Sequence, residues 1–346
     1  MDKIAIYTNS SIISYIGATV NNVTVSIYDP EPSDRSAELA ILRTLHWIFS
    51  SIIGVIVVVL GITGNTLSLI VWRKRSLQSS TGHYLTFLSF VDLIVLVLYF
   101  LIESLPQIEP LLRFSPNYGA FYSYVGYPCF HFAAMVSLWC MVGATFDRYI
   151  HVCCPSKAKL WCKKRKVYLI LCLVSGICFF FTIPHFLTYV PNKESIYSFV
   201  FTEFGQSDTR NKYIFWVFCF FLMNLAWYPP VFMNLRMIRH LKTTKIPKSQ
   251  AKLTRMLLYV SFASLLLLTL GCFPQCFLMF FKMDDIAIFQ EAWSLTLLVV
   301  VIRSSVNTVF YTLFYDRFCR ELKRVFGCLN DDVSEGDVPS HEESTP

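Results

Sequence analysis

Five charged side chains stand in surroundings that make charge expensive. Asp92 lies inside "LSFVDL", and Glu103 follows it by eleven residues. Asp147 and Arg148 are adjacent in "TFDRYIHVCCP", and Arg303 follows six apolar residues in "LLVVVIRSSVNTVFY". One arginine or aspartate at mid-helix costs roughly 2.5–3.5 kcal/mol to insert in a membrane. By default an ionisable group at that depth marks a functional site, the competing reading being a purely structural ion pair. Helical spacing puts Arg303 and Asn307 on one face. It also aligns Asp92 with Glu103 over three turns, about 16 Å apart. Enzyme chemistry finds no support, because GxGxxG, HExxH and GxSxG patterns and paired membrane carboxylates are all missing.

These residues need elements to hold them. The chain has 346 residues, 55% hydrophobic and 15% charged, with a mean hydropathy of +0.51. Apolar windows recur at about 44–73, 81–105, 118–151, 165–186, 211–242, 248–281 and 286–314. A crossing helix needs roughly 20 apolar residues, and runs this long without alternation are not barrel strands. The expected fold is an all-α, seven-helix membrane bundle. No internal repeat supports an inverted-repeat transporter.

Of the 30 Lys and Arg residues, 20 follow windows 1, 3, 5 and 7, eight lie on the other side and two lie within helices. The positive-inside rule then puts the N-terminus outside and the C-terminus in the cytoplasm, as in a multi-pass plasma-membrane protein. Sequons at Asn9 and Asn22 fall in the outside tail and are candidate glycosylation sites. No apolar stretch in the first 40 residues resembles a cleaved signal. The net charge of +7 suits anionic lipid and needs no nucleic acid. None of the 12 cysteines falls in the outside tail or loops, so most read as small apolar helix residues.

The expected organisation is an extracellular tail (1–43), the bundle (44–314), an amphipathic surface helix (315–328) and a disordered acidic tail (329–346). In the surface helix, Phe318, Leu322, Val325 and Phe326 share a face flanked by Arg317, Arg320, Lys323 and Arg324, which suits membrane lipid. Cys328 at its end is a palmitoylation candidate.

Gly64-Asn65, the Asp92 segment, Asp147-Arg148-Tyr149, Pro274 and "SSVNTVFY" occur in an order and spacing that resembles the rhodopsin-like family of G-protein-coupled receptors. The resemblance implies that Arg148 engages a heterotrimeric G protein after helix 6 swings outward. It implies that Asn307 and Tyr311 form the helix 7 motif, with Thr308 where proline is usual. It matches Asp92, Ser137 and Asn307 to residues that commonly hold sodium. It also brings Arg303 near Asp92. Opposite charges about 4 Å apart attract by about 4 kcal/mol at an effective dielectric near 20, which offsets much of the insertion cost. Arg303 is therefore expected to pair with Asp92 and fill the ion's place, leaving no metal or cofactor.

Other positions depart from the family. Ser123 replaces the usual disulfide cysteine, and the loop 187–211 has no partner for one; the alternating "SIYSFVFTEF" suggests a hairpin there. Cys272 stands two residues before Pro274, where many relatives carry a tryptophan switch, and no acidic residue occurs between Lys242 and Lys282 to partner Arg148. Val301 and Phe130 at two matching positions exclude a retinal Schiff base and an aminergic aspartate. Within the family, "YPCFHFAAMVSLWCMVGATFDRYIHVCCP" and "IPHF" are most similar to invertebrate FMRFamide-type neuropeptide receptors. That resemblance implies an extracellular peptide ligand. Candidate contacts are Glu103, Tyr127, Phe130, His131, Asp284 and Asp285, with rim acids drawing a basic peptide end. The alternatives are an atypical receptor with weak coupling, given its altered switch residues, and a transporter.

Overall fold

The computed structural model describes residues 34–192, 198–280 and 286–327. Asn9, Asn22, Asp284, Asp285, Cys328 and the tail 329–346 lie outside the described residues, as do the side chains of Cys272 and Pro274. Helix is present from Asp34, ahead of the expected start of the first window. Six described helices are long and apolar enough to cross a membrane. They include α1 (Arg43–Trp72), α2 (Ser80–Ile108), α3 (Pro116–Cys153) and α4 (Lys164–Phe186). The other two lie in α6 (Lys248–Phe280) and α7 (Ile286–Phe314). The run 208–243 is also helical and is α5, which completes the expected seven. α8 (Asp316–Val325) follows α7 after Tyr315.

The apolar windows form helices because helix alone satisfies every backbone group within one segment. Local signals set the ends. Ser79 caps α2, its Oγ accepting the Gly82 N–H at 3.0 Å, and Cys154-Pro155 stops α3. The sequences alone do not rank the helices by depth, but packing does. In its most apolar window α3 is 67% buried, against 22% for α4 and 28% for α1. α3 is therefore the most enclosed of the six, packed against α2, α4, α5 and α6. Leu60, Phe180, Leu266 and Leu313 point outward and are exposed, as lipid-facing residues must be.

One end of the bundle carries a hairpin and the other carries α8. β1 (Tyr189–Pro191) pairs antiparallel with β2 (Phe199–Phe201), with Val190 opposite Val200. β2 lies within the alternating stretch where a hairpin is expected. Its anchor is aromatic. Tyr122 of α3 stacks on Phe199 at 4.1 Å between ring centroids and 13° between planes, and Tyr189 meets both rings edge-on. A Cβ on Gly119 would lie 2.0 Å from the Ser198 carbonyl oxygen, so only glycine lets the backbones approach this closely. Ser123, one residue after the stacking tyrosine, is fully buried. The hairpin is thus held by close packing where the resemblance would supply a disulfide.

At the opposite end, α8 turns Phe318 into a core with Trp72 and Tyr311, and Leu322 and Val325 pack against that core. Phe326 falls just beyond the helix and is exposed.

Candidate functional site

Three polar centres lie along the bundle. The middle one gathers groups from α1, α2, α3 and α7, each fully or almost fully buried. Asp92 Oδ1 accepts from Ser137 Oγ at 2.5 Å, and Oδ2 accepts from Asn307 Nδ2 at 2.8 Å. Arg303 Nη2 donates to the same Ser137 Oγ at 3.1 Å. In place of the direct pair expected between Arg303 and Asp92 there is a relay, with one hydroxyl receiving from the base and giving to the acid. Such chains polarise one another in a low-dielectric interior, so the hydroxyl transmits part of each charge's field to the other. Asn65 joins α1 to α7 by donating to the Ser304 carbonyl at 2.8 Å, and Ser68 meets Thr308 at 2.8 Å. Thr308, where the family's motif has proline, here supplies a hydroxyl contact.

A cation does not fit among Asp92, Ser137 and Asn307. Both carboxylate oxygens already receive donors, and the hydroxyl that would turn its lone pair to the ion takes an Arg303 N–H instead. The arginine's own charge opposes a second positive charge beside it.

The second centre lies at the α8 end of α3. Asp147 and Arg148 are buried, at 4% and 5% exposure. Asp147 Oδ2 accepts from Thr81 Oγ1 at 2.5 Å, and Arg148 Nη2 and His151 Nδ1 each lie 3.5 Å from the same oxygen. Cys162, after the short helix Pro155–Trp161, brings its Sγ to 4.0 Å from the Asp147 carbonyl. Burial first, then the Asp147 charge, pushes the Cys162 thiol up to about 12. Among the described residues, the carboxylate that Arg148 meets is that of its own neighbour, in keeping with the lack of an acid on α6. Tyr149 packs towards α5 and α6 beside Val152, Met237 and Leu258. Tyr311 is fully buried, edge-on to Trp72 at 5.4 Å. Lys252 of α6 bridges to Asp316 at the start of α8.

The third centre lies at the hairpin end. Glu103 Oε1 accepts from Ser50 Oγ at 2.9 Å and lies 3.3 Å from His46 Nε2. Ser50 and Glu103 both occupy π-helical turns, Ile48–Ile53 and Phe100–Ser104, which rotate side chains away from their α-helical directions. The Glu103 carboxylate, expected to point inward near the outer mouth, is thus engaged by two side chains of α1. Tyr127 and His131 lie beneath the hairpin with His185 of α4. His131 and His185 stack at 4.3 Å, and His185 Nδ1 is 3.3 Å from Tyr127 Oη. Arg210 lies over the Phe201 ring at 5.4 Å. Phe130 meets His131 edge-on at 5.5 Å between centroids and also belongs to the core cluster with Val95 and Leu298.

The structure thus brings Asp92, Ser137, Arg303 and Asn307 together, and separately Tyr127 and Phe130 with His131. His46, Ser50, Thr81 and Cys162 were not singled out by the sequence, since each is an ordinary residue whose partner lies on another element.

A buried polar centre drawn from four of the seven helices thus lies between two ends of distinct chemistry. Residues 64–311 match the family described as 7 transmembrane receptor (rhodopsin family). The chain belongs to that family, and is a multi-pass membrane protein. It is 27% identical over 311 residues to the FMRFamide receptor of Drosophila melanogaster, covering 82% of this chain and 54% of that protein. It is 29% identical over 154 residues to the FMRFamide peptide receptor frpr-18 of Caenorhabditis elegans, covering 43% and 34%. The thyrotropin-releasing hormone receptor of Mus musculus is 30% identical over 164 residues, 46% of this chain and 40% of the other. The chain spans about half the length of the first of these relatives and a third of the second.

Proposed function

We propose that this chain is a plasma-membrane receptor for an extracellular neuropeptide of the RFamide type and signals to a heterotrimeric G protein. The observation that carries the reading is the likeness to the Drosophila FMRFamide receptor across 82% of the chain. In this reading the hairpin end faces outside and receives the peptide near Tyr127, His131 and Arg210. The α8 end faces the cytoplasm, where 20 of the 30 Lys and Arg residues lie, and Asp147, Arg148 and Tyr149 meet the G protein. A basic group of the peptide reaching Glu103 displaces the His46 contact. Rim charge from Asp284 and Asp285 draws that group in, and glycans at Asn9 and Asn22 and an acyl chain on Cys328 belong to the same topology. Pro274, Cys272, Asn307 and Tyr311 serve the switch between the two ends.

The test is nucleotide exchange on purified G proteins against a panel of amidated peptides. Exchange rises with at least one peptide, and Arg148→Ala abolishes it while leaving peptide binding and surface expression intact. Peptide binding without exchange on any G protein would replace this reading with an atypical, non-coupling receptor. Glu103→Gln weakens a basic peptide by roughly 1.5–3 kcal/mol, the worth of a charged hydrogen bond, and barely affects its citrulline analogue. Equal losses for the two peptides would move the contact elsewhere.

A further inference from the structure

We propose that Asp147, His151 and Cys162 form a binding site for a divalent transition-metal ion, with Zn2+ the best match. One carboxylate, one imidazole and one thiol place their ligand atoms within 4.8 Å of one another. Mixed O, N and S donors suit zinc, whereas calcium and magnesium take oxygen alone. Asp147 and His151 are one turn apart on α3 and share a face, so the helix itself sets their separation. That separation, 3.5 Å between Oδ2 and Nδ1, is close to the edge of a tetrahedron with zinc at its centre, about 3.4 Å for metal–ligand bonds of about 2.1 Å. Cys162 closes the third corner from outside the helix, where a short connecting segment can follow the metal inward. Solvent supplies the fourth ligand.

The surroundings favour the ion in two further ways. Thr81 donates to the Asp147 carboxylate and so orients it, the kind of support that metal-binding carboxylates need. His151 is half-buried, and its Nδ1 now touches the Asp147 carbonyl at 2.9 Å, an acceptor that its helix already serves. The ring loses little by turning to a metal, and the ion replaces the thiol proton of Cys162. Arg148 is the opposing charge. Its contact with Asp147 is long, at 3.5 Å against roughly 2.7–2.9 Å for a strong charge-assisted bond. Metal and Arg148 therefore compete for one carboxylate, and whatever favours one disfavours the other. The site stands apart from the peptide reading and does not depend on it.

The experiment uses the full-length receptor in lipid nanodiscs, stripped by a chelator and titrated with Zn2+ against a fluorescent competitor. A parallel Co2+ titration reads the charge-transfer band of a sulfur ligand. Wild type takes up one tight equivalent and shows the band, and Zn2+ raises its Tm. Cys162→Ser loses the band and the Tm shift. His151→Gln weakens binding at least as much as the roughly 10–100-fold lost with supporting groups around a metal. Equal metal-free Tm values show that the variants fold; should Cys162→Ser misfold, His151→Gln decides alone. Wild-type affinity in both variants, or a wild-type receptor without the band, overturns the proposal.

Discussion

Asp92 and Arg303 each depend on the other's charge although a hydroxyl stands between them. Removing one leaves the other buried without compensation, which costs about 3–5 kcal/mol for buried pairs. Asp92→Asn and Arg303→Asn should each lower thermal stability by such an amount, and the double variant should lose less than their sum. A coupling energy of zero in that cycle would show that the two charges do not stabilise each other. Ser137→Ala should resemble the single variants in direction, because the relay passes through its Oγ. Peptide affinity should be insensitive to sodium at constant ionic strength, and Arg303→Asn should create sensitivity by opening the space around Asp92. A wild-type receptor that already responds to sodium would show that the ion and the guanidinium coexist.

At the scale of elements, two attachments have measurable consequences. The hairpin rests on the Tyr122–Phe199 stack and on the close approach at Gly119. Aromatic pairs contribute about 0.5–1.5 kcal/mol beyond the area they bury. Phe199→Ala should therefore destabilise the receptor by at least that much and weaken peptide binding, while dithiothreitol applied to intact cells changes neither. Loss of binding in dithiothreitol would reveal a disulfide. At the other end, Lys252 and Asp316 tie α6 to α8. The hydrogen bond and charge of Lys252 hold the Asp316 carboxyl below its ordinary range. A depressed folded-state value means that the tie is complete above the usual carboxylate range and is lost only as pH falls through the lower, folded value. It is therefore intact at neutral pH. Both partners are exposed, so salt screens them and the contribution is small. If activation carries α6 away from α8, Lys252→Gln should raise basal exchange a few-fold at most, and the difference should vanish at high salt.

For the whole molecule, the distribution of basic residues sets the expected orientation. An epitope placed before residue 34 should be stained on intact cells, and one at the C-terminus only after permeabilisation. The reverse pattern would invert every assignment of ligand end and G-protein end. Two distant centres also make a two-part demand on the bundle. Substitutions at the relay should alter peptide affinity and exchange together, because α3 and α7 run continuously between the ends.

The sequence by itself determined the class of the molecule. Seven apolar runs, each of crossing length, require a helical bundle in lipid, and the charged residues set in them mark the relay and the Asp147-Arg148 pair. Helical periodicity also put Arg303 and Asn307 on one face. Tertiary structure decided which groups meet. Ser137 stands between the charges because α3 presents it there, and no local pattern reports a contact across 166 positions. Glu103 shows the limit most clearly. Its depth followed from its distance along α2, but its partners His46 and Ser50 belong to α1, where π-helical turns change the facing that regular periodicity would give. The hairpin's anchor and the meeting of Cys162 with Asp147 have the same origin: both depend on how helices approach one another, and side-chain packing between elements fixes that approach.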